Sequence, residues 1–107
     1  MKVYLHQNHH QIADFASIEN YLCERFETKG LHVFSELFLT GYPLQDLCLQ
    51  KPFIDRYQKL IKSLNSKLLS MKINTKINLL VGGLDYELTA RGLPKIIKNV
   101  VFHMTPG

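Results

Sequence analysis

The chain has 107 residues, 46% of them apolar and 21% charged, with a formal net charge of +4. That length suits one domain, burying roughly two-thirds of its extended-chain surface, and that composition excludes collagen-like, coiled-coil and disordered classes. No apolar run approaches the roughly 20 residues that cross a bilayer, and the apolar stretch at the start is too short for a signal peptide.

The expected setting is therefore the cytoplasm, with no membrane partner and with Cys23 and Cys48 in the reduced state. These two cysteines have no close-spaced partners and form neither a disulfide framework nor a zinc motif. In chain order, Val3-Tyr4-Leu5 begins a strand that runs into the polar stretch Gln7 to Gln11. Asp14 and Ser17 are both suited to cap a helix that carries Ile18, Leu22 and Phe26 on one face. Gly30 stands where a helix-ending glycine is expected, and Leu31-His32-Val33-Phe34 reads as a second strand. Gly41 and Pro43 then mark a turn, followed by a short helical piece around Leu44 to Leu49.

Pro52 suits the first position of a long helix. Its apolar residues, Ile54, Tyr57, Ile61, Leu64, Leu68 and Met71, step by three and four and define a buried stripe. Charge is uneven here: residues 1–50 hold three Lys/Arg against six Asp/Glu, whereas residues 51–107 hold ten against three. A basic half invites a nucleic-acid reading. Most of the helix lysines, however, fall opposite the apolar stripe, and no aromatic residues interleave with them in the way single-stranded nucleic acid requires. A solvated lysine face is expected, with no nucleic-acid partner.

Beyond the helix, Ile77 to Gly83 has the pattern of a buried strand. Asp85 to Pro94 reads as a loop or hairpin, Ile96 to Met104 as a fourth strand, and Thr105-Pro106-Gly107 as a turn. The order β-α-β-α-β-β implies an α/β layered sheet. Two small motifs carry little. His6, His9 and His10 lack a suitably spaced carboxylate or cysteine for a metal, and Gly82-Gly83 lacks the G-x-G-x-x-G of a phosphate loop.

Glu36 is the sharpest chemical feature. It follows an apolar strand and precedes Leu37, Phe38 and Leu39, so little water is expected around it. A carboxylate in such a place either pairs with a neighbour or shifts its pKa upward, and an upward shift suits a general base at neutral pH. The alternative is a strand-end glutamate bonded to backbone amides or to a lysine.

The run Ser35-Glu36-Leu37-Phe38-Leu39-Thr40-Gly41-Tyr42-Pro43 resembles the "PELFLTGYP" segment of the nitrilase, or carbon–nitrogen hydrolase, superfamily. The continuation from Leu44 to Phe53 resembles the "PxDLLLRPAF" run in the glutaminase domain of glutamine-dependent NAD synthetases. Weaker agreement lies in the opening strand ending at Gln7, in Leu80-Val81-Gly82, and in Lys98-Asn99-Val100-Val101, which is similar to "YNAA". The resemblance implies an α-β-β-α sandwich of which residues 1–107 form the N-terminal part. It implies a Glu–Lys–Cys triad that hydrolyses an amide through a thioester, with Glu36 as the base that deprotonates the cysteine. Tyr42 matches the tyrosine near the glutamine pocket; a packing role is the alternative. The family's lysine and cysteine fall beyond residue 107, and Cys23, Cys48, Lys95 and Lys98 match neither place. Ser35 also replaces the usual proline.

On this resemblance the chain alone is inactive and holds no cofactor or metal. The complete protein is a homo-oligomer that takes glutamine as substrate, and its synthetase domain uses ATP and Mg2+ to amidate nicotinic acid adenine dinucleotide to NAD. Two further readings are another amidase of the same superfamily and a small non-catalytic α/β binding protein.

Overall fold

The computed structural model describes residues 2–7, 10–41, 46–71 and 76–106. Four strands form one sheet in the order β1-β2-β3-β4: β1 (Val3–His6), β2 (Gly30–Phe34), β3 (Ile77–Leu88) and β4 (Pro94–Met104). The pairs β1/β2 and β2/β3 are parallel and β3/β4 is antiparallel. Helix α1 (Phe15–Arg25) connects β1 to β2, and α2 (Lys51–Leu69) lies between β2 and β3. The fold is mixed α/β, with the expected element order β-α-β-α-β-β.

The helices share one face of the sheet. Ile18 and Leu22 of α1 pack with Phe53, Tyr57, Leu60, Leu64 and Leu68 of α2 over Phe34, Leu79 and Val81, and all of these side chains are buried. Strand alternation sends the neighbouring residues to the opposite face. There Val3, Leu5 and Val101 are 57%, 70% and 68% exposed. Among the described residues, no helix is long and apolar enough to cross a membrane.

Local chemistry explains most element ends. Of the two candidate caps, Asp14 fills the role and accepts a hydrogen bond from the Ser17 amide at 3.4 Å. Pro52 sits in the first turn of α2, where its missing N–H costs nothing. The lysine face is solvated as expected. Lys51, Lys59, Lys62 and Lys67 are exposed, and Lys51 pairs with Asp55 one turn on at 2.8 Å.

Several boundaries differ from the sequence reading: α1 ends at Arg25, with Phe26 as its C-cap, and β4 begins at Pro94 rather than Ile96. Gly30 does not end α1, which stops at Arg25, but opens β2 with φ +131°; a Cβ there would lie 2.6 Å from the Lys2 carbonyl oxygen. The strand β3 continues to Leu88 through residues expected to loop, because Asp85 to Leu88 pair with residues of β4, with one register shift between Glu87 and Leu88. The connection shrinks to residues 89–93, closed by the Thr89 amide donating to the Leu93 carbonyl at 2.8 Å. In α2 the buried stripe also takes in Phe53 and Leu60, while Met71 lies beyond the helix end.

Candidate functional site

The chain leaves β2 at Phe34 and turns sharply at Ser35 and Glu36. Leu37 makes the turn possible by adopting a left-handed conformation, φ +57°, that an L side chain tolerates only at a cost of roughly 1 kcal/mol. A 3-10 helix, Phe38–Thr40, follows. Its buried residues reveal what most of the run after Glu36 does. Phe38 and Leu39 enter the core, and the buried Thr40 hydroxyl lies 2.8 Å from the Leu37 carbonyl and 3.0 Å from that of Gly41. The Thr40 carbonyl accepts from the Ala13 amide at 2.9 Å. Gly41, at φ +80°, touches the backbone at Gln11, where a Cβ would come within 2.1 Å of a carbonyl oxygen. These residues anchor the turn to the segment before α1.

Glu36 itself is exposed, which corrects the expectation of dry surroundings. Its apolar neighbours in sequence turn away from it into the core, so they do not enclose its carboxylate. The carboxylate lies on the helix-free side of the sheet and pairs with an amide: Asn99 Nδ2 of β4 donates to Glu36 Oε1 at 2.5 Å. Gly82 of β3 lies directly beneath the turn. A Cβ there would meet Leu37 N and Ser35 O at 2.6 Å each and Glu36 Cα at 2.9 Å. Gly82-Gly83 is therefore no phosphate loop but the point where β3 lets this turn approach.

Together Phe34, Ser35, Glu36, Gly82, Asn99 and Val101 line an open cavity of about 440 Å³. A neighbouring cavity of about 490 Å³ runs from Phe34 and Ser35 to Leu5 and His6 at the end of β1. Both lie at the carboxyl ends of the parallel strands, where open α/β sheets commonly bind ligands. The chemistry available is a carboxylate that can take a proton or orient a donor, an amide that fixes it, and an apolar rim.

The other sequence candidates lie elsewhere. Tyr42 and His9 fall outside the described residues. Cys48 is half-buried, and its carbonyl accepts from the Tyr86 hydroxyl at 2.7 Å. Lys95 pairs with Glu87 at 3.7 Å. Among the described residues no lysine forms an ion pair with Glu36, and no group of three or more side chains is placed to hold a metal. His6 bonds to Tyr21 and His32.

Sequence reasoning missed a cluster between the two helices. On the seam between α1 and α2, Lys67 Nζ donates to Glu19 at 3.0 Å and lies 3.6 Å from Cys23 Sγ, and Ser63 donates to the same carboxylate. Burial pushes the Glu19 carboxyl upward, but the Ser63 and Lys67 hydrogen bonds outweigh it and hold the group below its ordinary value. The same bond to Glu19 raises the Lys67 ammonium. A carboxylate already committed to two donors is a clamp between helices rather than a base. The 44- and 48-residue separations of these pairs left no local signal to find.

Compared with known proteins, the chain matches no protein-family model and no curated sequence.

Proposed function

We propose that the chain is the N-terminal part of a nitrilase-like glutaminase domain in a glutamine-dependent NAD synthetase, with Glu36 as the general base. One observation carries the reading. The glutamate of the Ser35–Pro43 run stands at the carboxyl end of a central parallel strand, beside an open cavity, while the rest of the described run is consumed in building the turn that presents it. A carboxylate held by one hydrogen bond from an amide and lining an open cavity is arranged to accept a proton from a thiol.

On this reading the lysine and cysteine of the triad follow residue 107. Glutamine is the substrate, and the ammonia released is used in a separate synthetase domain. ATP and Mg2+ act in that domain; the described residues offer no cluster of metal ligands, and no step here runs through them. Homo-oligomerisation and a cytoplasmic location belong to the same proposal.

The test is Glu36→Gln in the whole protein that the gene encodes. General base catalysis contributes roughly 100- to 10,000-fold. Glutamine-dependent formation of NAD should fall by about that factor, while formation from added ammonia is retained. Undiminished glutamine-dependent activity in the variant, or none in the native protein, overturns the reading.

A further inference from the structure

Apart from the cavity at Glu36, a chain of hydrogen bonds runs behind β1. His32, only 1% exposed, lies with its Nε2 2.8 Å from the Thr28 carbonyl oxygen. Its Nδ1 is 2.9 Å from His6 Nε2, and His6 Nδ1 is 3.0 Å from the Tyr21 hydroxyl. The end of the chain sets its direction. A carbonyl only accepts, so His32 carries its proton on Nε2; its bare Nδ1 then accepts from His6 Nε2–H, and His6 Nδ1 accepts from Tyr21. With both rings neutral, both are therefore Nε2–H tautomers.

This arrangement has room for one further proton and not for two. A proton added to His6 Nδ1 is accommodated if the Tyr21 hydroxyl rotates and accepts. With both rings charged, two N–H groups face one another across the 2.9 Å contact and the bond is lost. The surroundings offer little relief. From α1 come Tyr21 and Arg25, the latter over the Tyr21 ring at 4.1 Å and paired with Glu24 at 3.8 Å. From the segment before α1 comes His10, packed edge-on to Tyr21. From β1 comes Tyr4, stacked on His32. Among the described residues no carboxylate pairs with either imidazole.

Those rings also hold the strand. β1 is an edge strand of four residues whose outward side chains, Val3 and Leu5, are exposed. Its inward side chains stack on β2, Tyr4 on His32 at 4.8 Å and His6 on Phe34 at 4.6 Å. We propose that the His6–His32 pair is an acid-sensitive latch for β1, closing the edge of the sheet when the rings share at most one proton and releasing it when both are charged.

The sign is fixed by the proton count. The released strand binds one proton more than the latched one, so acid favours release. Burial first, then the charges of His32 and Arg25, hold the latched His6 below its ordinary 6.5. The latch is therefore fully set above that value and weakens as the pH falls below it. One proton is worth up to about tenfold per pH unit, hence up to about 30-fold at pH 5.

Amide hydrogen exchange on the full chain at pH 7.5 and pH 5.0, expressed as protection factors, reads this directly. The amides of β1, and Leu31 N–H, which donates to the Lys2 carbonyl, should lose 10- to 30-fold more protection than the β3–β4 hairpin. In His6→Phe, which keeps an aromatic ring against Phe34 but cannot titrate, the excess loss should vanish. An excess loss that persists in the variant, a loss shared equally by the hairpin, or no loss at β1 overturns the proposal. Should the variant not fold, imidazole nitrogen shifts of the native chain decide. Nε2–H tautomers on both rings at pH 8, with fewer than two protons taken up by pH 5.5, support the latch. An Nδ1–H tautomer, or two independent titrations, refutes it.

Discussion

Replacing Gly82 with alanine tests whether the Glu36 turn depends on close backbone approach. The added Cβ would sit 2.6 Å from Leu37 N and from Ser35 O, and 2.9 Å from Glu36 Cα. Ordinary contact begins near 3.4 Å, so two overlaps reach about 0.8 Å. All three obstructing atoms are backbone, and they belong to a turn already holding Leu37 at φ +57°. No side chain can rotate out of the way; the turn must lift from β3. Overpacking of this kind costs typically 1–3 kcal/mol, and backbone obstruction places this case at about 2–3 kcal/mol. With a urea m-value near 1.5 kcal/mol/M, the unfolding midpoint should fall by about 1.3 to 2 M. The same displacement separates Glu36 from Asn99, so the Asn99 side-chain amide resonances should move in the variant. The control is Gly92→Ala, where φ is positive at +78°, unlike at Gly82, and the nearest neighbours are Lys51 side-chain atoms at 3.4 and 3.6 Å. Strain alone there costs about 1 kcal/mol. A Gly82→Ala midpoint within 0.3 M of the native chain, or no larger an effect than Gly92→Ala, would refute the packing argument.

Tyr57→Phe should cost about 2–4 kcal/mol in urea unfolding, because the buried hydroxyl donates to the Leu84 carbonyl and accepts from its amide, each at 2.8 Å, and both groups would lose it. Burial also raises the Tyr57 and Tyr86 phenols well above their ordinary 10, so the folded state resists their ionisation. The stability this contributes is present below pH 10 and is lost above it, and the phenolate absorbance of these two side chains should appear last on alkaline titration. Thr40→Val, nearly isosteric, leaves the Leu37 carbonyl without its 2.8 Å donor and should cost about 1–2 kcal/mol; a change under 0.5 kcal/mol would show that water replaces the hydroxyl.

The elements were legible in the sequence where one physical rule decides. The three- and four-residue spacing placed α2, Asp14 capped α1, and Pro52 marked the start of the long helix. Where tertiary contact competes with local propensity, the reading failed. Asp85 to Leu88 look like loop residues, yet they pair because β4 runs alongside them. Gly30 resembles a helix stop but meets a steric demand set by Lys2, 28 positions away in the chain. The site was legible as a residue and not as an environment. Glu36 stood out, but its exposure, its Asn99 partner 63 residues away and the left-handed Leu37 follow from how the turn crosses β3. The histidine network had even less local signal: His6 and His32 are 26 positions apart, and only the parallel register of β1 on β2 brings them together.

That register also connects the two halves of the molecule's chemistry. The sheet has a helix-covered face, where the half-buried His6 and the buried His32 lie beside α1, and an opposite face, where Glu36 meets Asn99. Val3, Leu5 and Val101 leave the second face strongly apolar and open to water. Each such side chain favours burial by roughly 1.5–3 kcal/mol. On the function proposed above, the layer that covers this face is the second sheet of the sandwich. Covering it would do for Glu36 what its neighbours in sequence do not. Removing water from the cavity around a carboxylate strengthens it as a base. Leu37, Phe38 and Leu39 are spent on the core, so the dry surroundings a general base needs must come from across the sheet rather than from along the chain.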